Sequence, residues 1–303
     1  MTDTMQLLEQ ASGGLDYLFV AERTRALYIR VPKAACTTML WGLLELEGHD
    51  PSIMHRSKNP LLSTPDTVVH DMALYPVPTL SEVSSNLRDH ALTDRQWSRI
   101  AIVRNPYARL YSAWESKILL RPPGNRRFRP APKLVETEKG VDIGASFRSF
   151  VSDLSAHRER WMSDEHFVRQ ADLVPRSVLP DIELVPTSAI PQLFERLSER
   201  AGVAVSPRRS NKGLGIDGTA FLDDETAEKV LQLYRADFEL TGADPSAFTP
   251  GDPVVLDSVA LGLLKLASAR SARAVQLNLS YQQEARGRVG GTVRRFGRKL
   301  TGR

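Results

Sequence analysis

The succession of apolar runs along this chain predicts an α/β fold layered on a mostly parallel sheet. Three observations carry the expectation. Short apolar runs alternate with stretches whose apolar residues recur every three or four positions, so strands and helices take turns. Two runs, residues 26–31 and 99–103, pass through a brief turn straight into such a helical stretch. A third strand, Asp181 to Val185, follows them, and no internal repeat of fixed period interrupts the order.

Residues 17–21 and 26–31 are apolar runs separated by Glu22, Arg23, Thr24 and Arg25, which reads as a hairpin or two sheet strands. From Thr37 to Glu47, Met39, Leu40, Leu43, Leu44 and Leu46 recur at helical spacing, and Gly48 is a stop signal. Val68 and Val69 form a brief strand ending at His70, and Thr79 with Glu82 has the spacing of a capping box that opens a helix to about Ala91. Strand 99–103 leads through Arg104 and Asn105 to Pro106, which starts a helix with Leu110, Tyr111, Trp114 and Ile118 along one side. Residues 121–133, rich in proline and basic side chains, form a loop; helices follow near 145–156, 189–201 and 223–240. Pro250, Gly251, Asp252 and Pro253 mark a boundary between a main domain, 1–250, and a basic extension, 251–303, helical to about Gln283 and loose beyond it.

Composition narrows the function classes. The chain has 303 residues, 42% hydrophobic and 25% charged, enough for one large domain or two modest ones. Its single cysteine, Cys36, excludes an intramolecular disulfide framework. No N-terminal stretch has the pattern of an export signal and no run of 18 apolar residues occurs, so the expected location is the cytoplasm. The net charge of +4 conceals an asymmetry: residues 265–303 hold ten Lys or Arg against Glu284 alone, a net of +9. A uniformly basic nucleic-acid binder is therefore not expected, whereas the tail by itself is suited to peripheral contact with an anionic membrane.

Two motifs carry chemistry. In the first, "RVPKAACTTMLWG" (30–42), a strand gives way to a helix N-terminus, where unpaired amide groups and the helix dipole favour an anion. Pro32 leads into Lys33, a mobile cation; Ala34, Ala35 and Cys36 are small enough to let the backbone wrap a phosphate; Thr37 and Thr38 add hydroxyl donors. The lysine precedes the small residues, so this is not the G-x-x-x-x-G-K-[ST] loop of ordinary nucleotide hydrolases. In the second motif, "IVRNPYARLYSAW" (102–114), Arg104 ends a strand while Arg109 and Ser112 lie along the following helix, which implies a second anion. Ligands of parallel sheets bind at the carboxyl ends of strands, so both motifs should meet one molecule bearing phosphates at both ends.

These residues resemble a known family. "VPKAACTTM" is similar to the 5'-phosphosulfate loop, and "VRNPYARLYSAW" to the 3'-phosphate motif, of sulfotransferases that use 3'-phosphoadenosine 5'-phosphosulfate (PAPS), in particular the carbohydrate group. Fainter similarity lies in "DEHFVRQADLV" (164–174) and in 223–242, so the resemblance covers roughly residues 17–243. Eukaryotic members are membrane-anchored and cysteine-bridged; this chain has neither pattern, which points to a soluble bacterial-type member. The resemblance implies a three-layer P-loop-like fold, with Lys33 on the 5'-phosphosulfate and bridging oxygen, residues 35–38 completing the cradle, and Arg104 and Ser112 on the 3'-phosphate.

A base must take the acceptor proton, and His70 is the first candidate because it ends a strand at the expected site edge. His166 is the second, with Asp71 and Glu115 as carboxylate alternatives. Arg126, in the basic loop, and His166 are also expected to meet the acceptor, a hydroxyl of a carbohydrate or glycolipid. No metal is required by such a mechanism. Two other readings stay open: a P-loop-type kinase, which would want a Mg²⁺-holding hydroxyl where Ala34 stands, and a catalytically idle nucleotide- or glycan-binding protein.

Overall fold

A computed structural model describes residues 2–10, 13–55, 69–70, 72, 74–120, 132–208 and 213–266. The chain opens with helix α1 (Thr2–Gln10), then β1 (Leu18–Ala21) and β2 (Ala26–Ile29). These two strands pair antiparallel, Leu18 opposite Ile29 and Ala21 opposite Ala26, and both are buried throughout. Helix α2 (Cys36–Leu46) follows and buries Met39, Leu40, Leu43, Leu44 and Leu46, the residues whose spacing predicted it. Gly48, at φ 82°, adopts the left-handed turn that ends the helical region.

The next stretch departs from expectation. Val69 and His70 lie in a turn, so no strand ends at His70; Val68 falls outside the described residues. A two-residue apolar run is too short to specify a strand when no neighbouring ladder takes it. The Thr79–Glu82 box does form, since Glu82 Oε2 accepts from Thr79 N at 2.8 Å and from Thr79 Oγ1 at 2.9 Å. It closes a turn, while helix α3 (Ser85–Thr93) starts later, capped by Ser84 on Leu87 N. Thr79 instead bridges to Phe19, the edge of the sheet, which pulls it out of helical geometry.

Strand β3 (Ser98–Val103) and helix α4 (Pro106–Trp114) come next, and α4 continues as one π-helical turn, Glu115–Leu119. A short hairpin, β4 (Val135–Thr137) and β5 (Gly140–Asp142), leads into α5 (Ile143–Ala156), α6 (Arg158–Met162) and α7 (Gln170–Leu173). Then follow β6 (Glu183–Pro186), α8 (Ile190–Ala201), α9 (Asp224–Thr241), β7 (Val255–Leu256) and a helical segment α10 over 258–266. The main sheet has the order β1-β2-β3-β6, with β2, β3 and β6 parallel. This is the mostly parallel α/β arrangement that the strand-turn-helix units predicted.

Two apolar cores hold the molecule. One gathers β1, β2 and β3 with α2 and α8; the other packs Tyr111, Trp114, Phe147, Phe150, Trp161 and Phe221 among α4, α5 and α9. The described residues beyond 250 make contact with the rest of the fold. Gly251 N donates to Ala220 O (2.8 Å), Ile143 N donates to Val254 O (2.9 Å), β7 pairs with β5, and Leu261 is buried. Val254, Leu256 and Leu261 pack in or against the second core. The remainder of the expected tail helix lies outside the described residues, as does loop 121–131.

Candidate functional site

The C-terminal ends of β2, β3 and β6 point to one edge of the sheet, and the segments that leave them meet there. Lys33, Ala35, Cys36, Thr37 and Thr38 after β2, Arg104 and Ser112 after β3, and Thr187 after β6 line one cavity of about 290 Å³. The two motifs thus open into the same space, as the parallel-sheet rule requires. A larger groove of about 550 Å³ lies between α1 and residues 171–178, but it faces the opposite chemistry, with Asp172 and Glu239 beside Arg176.

The lysine turn is built under strain. Lys33 (φ 68°) and Ala35 (φ 55°) both adopt left-handed backbone, a cost of about 1–3 kcal/mol each for non-glycine residues. The surrounding fold holds it: Arg109 Nε donates to Pro32 O (2.9 Å), Arg104 Nη1 to Lys33 O (3.3 Å) and Ala34 N to Val31 O (3.2 Å). With those carbonyls engaged from behind, α2 begins at Cys36 on an N-cap, Ala35, whose side chain can cap nothing. The N-terminus of α2 opens into the cavity, where the helix dipole favours an anion. Helix α4 differs: Asn105 Oδ1 accepts from Tyr107 N (2.9 Å) and Ala108 N (3.4 Å), so its N-terminus is already satisfied. An anion there must be held by side chains, and Arg104 and Ser112 are the ones that face the cavity.

Electrostatics agree with an anion site. Lys33 donates from Nζ to Ser116 Oγ (2.9 Å), and burial, aided by the charges of Lys117 and Arg104, lowers its pKa to about 8. Burial likewise lowers the Arg104 pKa. Cations held against desolvation and against one another are poised to gain from an arriving anion. Among the described residues no group of three metal-ligating side chains comes together.

Beside the lysine turn lies a cluster of acid-base groups. His70 Nε2 is 2.9 Å from Thr37 Oγ1, so the turn carries this histidine to the lysine turn without a strand. Burial first, then Arg30 and Lys117, lowers its pKa to about 4. His166 Nδ1 lies 2.7 Å from Asp164 Oδ1, and its Nε2 is 3.8 Å from Glu165 Oε1. Burial lowers its pKa to about 4 as well, against the opposing hydrogen bond from Asp164. Both imidazoles are therefore neutral near pH 7. Glu165 pairs with Arg30 at 2.7 Å and accepts from Tyr17; burial pushes its carboxyl up, but Tyr17 and Arg30 outweigh it and hold it low.

The remaining expected site residues fall differently. Pro32 and Ala34 shape the turn from behind the cavity, and Ala34 is part of the first core. Arg109, expected on the phosphate, is buried with 2% exposure and bonds Pro32 O and Val168 O (2.8 Å) close to Asp237 (4.0 Å). A residue one turn into α4 faces the core, not the sheet edge, so Arg109 braces the turn and does not line the cavity. Glu115 accepts from Leu214 N (2.9 Å), which commits that carboxylate to holding a loop. Arg126 and Asp71 lie outside the described residues. Arg30, Ser116, Lys117 and Thr187 escaped the sequence reading. Ser116 and Lys117 sit on the π turn, which no apolar periodicity marks.

A sheet edge that offers a helix N-terminus and a lysine at one end, and arginine with serine at the other, is suited to nucleotide-dependent group transfer. The chain belongs to the sulfotransferase family, whose model matches residues 16–240. It is similar to carbohydrate sulfotransferase 10 of Pongo abelii and of Homo sapiens, each 29% identical over 157 residues, 49% of this chain and 40% of the relative. Carbohydrate sulfotransferase 10 of Danio rerio is 26% identical over 165 residues, 50% of this chain and 41% of the relative. The chain thus spans less than half the length of these curated relatives. No solved structure matches it.

Proposed function

We propose that this protein moves a sulfuryl group from PAPS to a hydroxyl of a carbohydrate or glycolipid. The observation that supports the reading most is the convergence of Lys33, the α2 N-terminus, Arg104 and Ser112 on one cavity. The 5'-phosphosulfate sits on the amides of residues 35–38 with Lys33 at the bridging oxygen, and Arg104 and Ser112 hold the 3'-phosphate. The acceptor oxygen attacks sulfur as the bond from sulfur to the 5'-phosphate oxygen breaks, and Lys33 meets the charge that develops on that oxygen. His70 takes the acceptor proton; it is neutral at physiological pH and tethered to the phosphosulfate loop through Thr37. His166, aligned by Asp164, lies on the acceptor side with Arg30 and Glu165. Carbohydrate as the acceptor class rests on the similarity to carbohydrate sulfotransferase 10.

Calorimetry with adenosine 3',5'-bisphosphate and with AMP tests the donor assignment. Loss of the 3'-phosphate is expected to weaken binding by about 1.5–3 kcal/mol per charged hydrogen bond. Equal affinity for the two nucleotides would remove Arg104 and Ser112 from the site. His70→Ala should abolish labelled-sulfate transfer and leave bisphosphate affinity unchanged; full transfer by that variant passes the base role to His166.

A further inference from the structure

We propose that Gln170 is a positioning residue: by clasping the main chain of Arg104 it sets where that guanidinium meets the 3'-phosphate, an inference that rests on the sulfotransferase reading above. Gln170 opens α7 and has 0% of its surface exposed. Its Oε1 accepts from Arg104 N at 2.9 Å, and its Nε2 donates to Arg104 O at 2.8 Å. The two bonds grip different peptide planes. Arg104 N belongs to the plane shared with Val103 and Arg104 O to the plane shared with Asn105, so one rigid side-chain amide fixes both φ and ψ of Arg104. Those two angles set the direction in which the arginine side chain leaves the backbone.

Arg104 needs such a hold because regular structure does not reach it. The ladder between β3 and β6 ends with Val103 opposite Pro186, and α4 starts at Pro106, so Arg104 stands in the link between them. The clasp is itself anchored: Asp237, also 0% exposed, accepts from Gln170 N through Oδ2 and from Ala171 N through Oδ1, each at 2.9 Å. An uncharged amide suits the position, since it brings one acceptor and one donor in a single plane; a carboxylate could accept from Arg104 N but would repel Arg104 O. The lysine turn has supports of its own, Arg109 Nε on Pro32 O (2.9 Å) and Ala34 N on Val31 O (3.2 Å). Arg104 Nη1 on Lys33 O is the longest of the three contacts, at 3.3 Å. Loosening Arg104 is therefore felt first at the 3'-phosphate.

Calorimetry on the full chain with adenosine 3',5'-bisphosphate and with AMP tests the assignment. Gln170→Met keeps the length of the side chain and gives up both bonds. It should weaken the bisphosphate about tenfold or more and AMP less than about threefold, so the wild-type preference for the 3'-phosphate shrinks. Gln170→Asn keeps the amide but is one methylene too short to reach, and should show the same selective loss; it serves if the methionine variant does not fold. Leu154→Ala opens a cavity in the second core without removing a bond of the clasp; it should lower the urea midpoint and leave the preference unchanged. The full preference in the Gln170 variants, or equal weakening of both nucleotides, would overturn the proposal. Equal binding of the two nucleotides by the wild type is a different failure: it removes the 3'-phosphate assignment itself, and this inference with it.

Discussion

Lys33 shows how much one residue's surroundings matter. A lysine after a strand is ordinarily a hydrated surface cation, yet here it is desolvated among Lys117 and Arg104 and its pKa falls to about 8. A bound phosphosulfate or phosphate supplies the missing counter-charge and returns that pKa toward its usual value. At pH 8 the free protein therefore holds Lys33 half protonated and the complex holds it fully protonated. Binding of adenosine 3',5'-bisphosphate should take up ~0.5 proton at pH 8, where its phosphates are already fully ionised. Calorimetry in buffers of different ionisation enthalpy measures this; proton release at pH 8 would contradict the placement of Lys33. The candidate residues Lys33, Thr37, Thr38, Arg104 and Ser112 were legible because a small-residue turn before a helix has one recognisable order. Lys117 was not, since nothing in its neighbours marks a basic residue on a π turn as facing a site.

At the scale of elements, α2 must present its N-terminus rigidly, and its packing against α8 supplies the rigidity. Gly42 is the point of closest approach: a Cβ there would overlap the Phe194 ring of α8. Gly42→Ala gains about 0.8–1.0 kcal/mol of helix propensity and loses about 1–3 kcal/mol to overpacking, so the packing loss decides. Urea unfolding should show a net destabilisation; a stabilised variant would mean that α8 yields freely. Periodicity revealed α2, α4, α5, α8 and α9, each of which buries one regular face. It failed for β4, β5 and β7, because strands of two or three residues at an edge carry too few alternations to signal anything.

Across the whole molecule, both anion motifs hang on one buried network. Asp237, on α9, accepts from Gln170 N and Ala171 N at 2.9 Å each, and burial pushes its carboxyl pKa up. Gln170 in turn clasps the Arg104 main chain, accepting from Arg104 N (2.9 Å) and donating to Arg104 O (2.8 Å). Arg109, 4.0 Å from Asp237, ties the same network to Pro32 O. Asp237→Ala would leave a buried guanidinium without its carboxylate and two amides without acceptors. It should cost about 3–5 kcal/mol in urea unfolding. A loss below about 1 kcal/mol would show that α9 does not hold the site together.

The residues alone determined the α/β class, the two strand-turn-helix motifs and the family they resemble, because each depends on contiguous chain: a strand's length, a helix's period, a run of small side chains. Only the tertiary structure decided which arginine lines the cavity and which braces the turn, and how a histidine in a turn reaches Thr37. It also decided that residues beyond 250 pack in or against the second core. Those outcomes hinge on partners far apart in the chain, such as Thr37 with His70, Arg109 with Pro32 and Ile143 with Val254. Burial and charge between such distant groups arise only when the chain has folded.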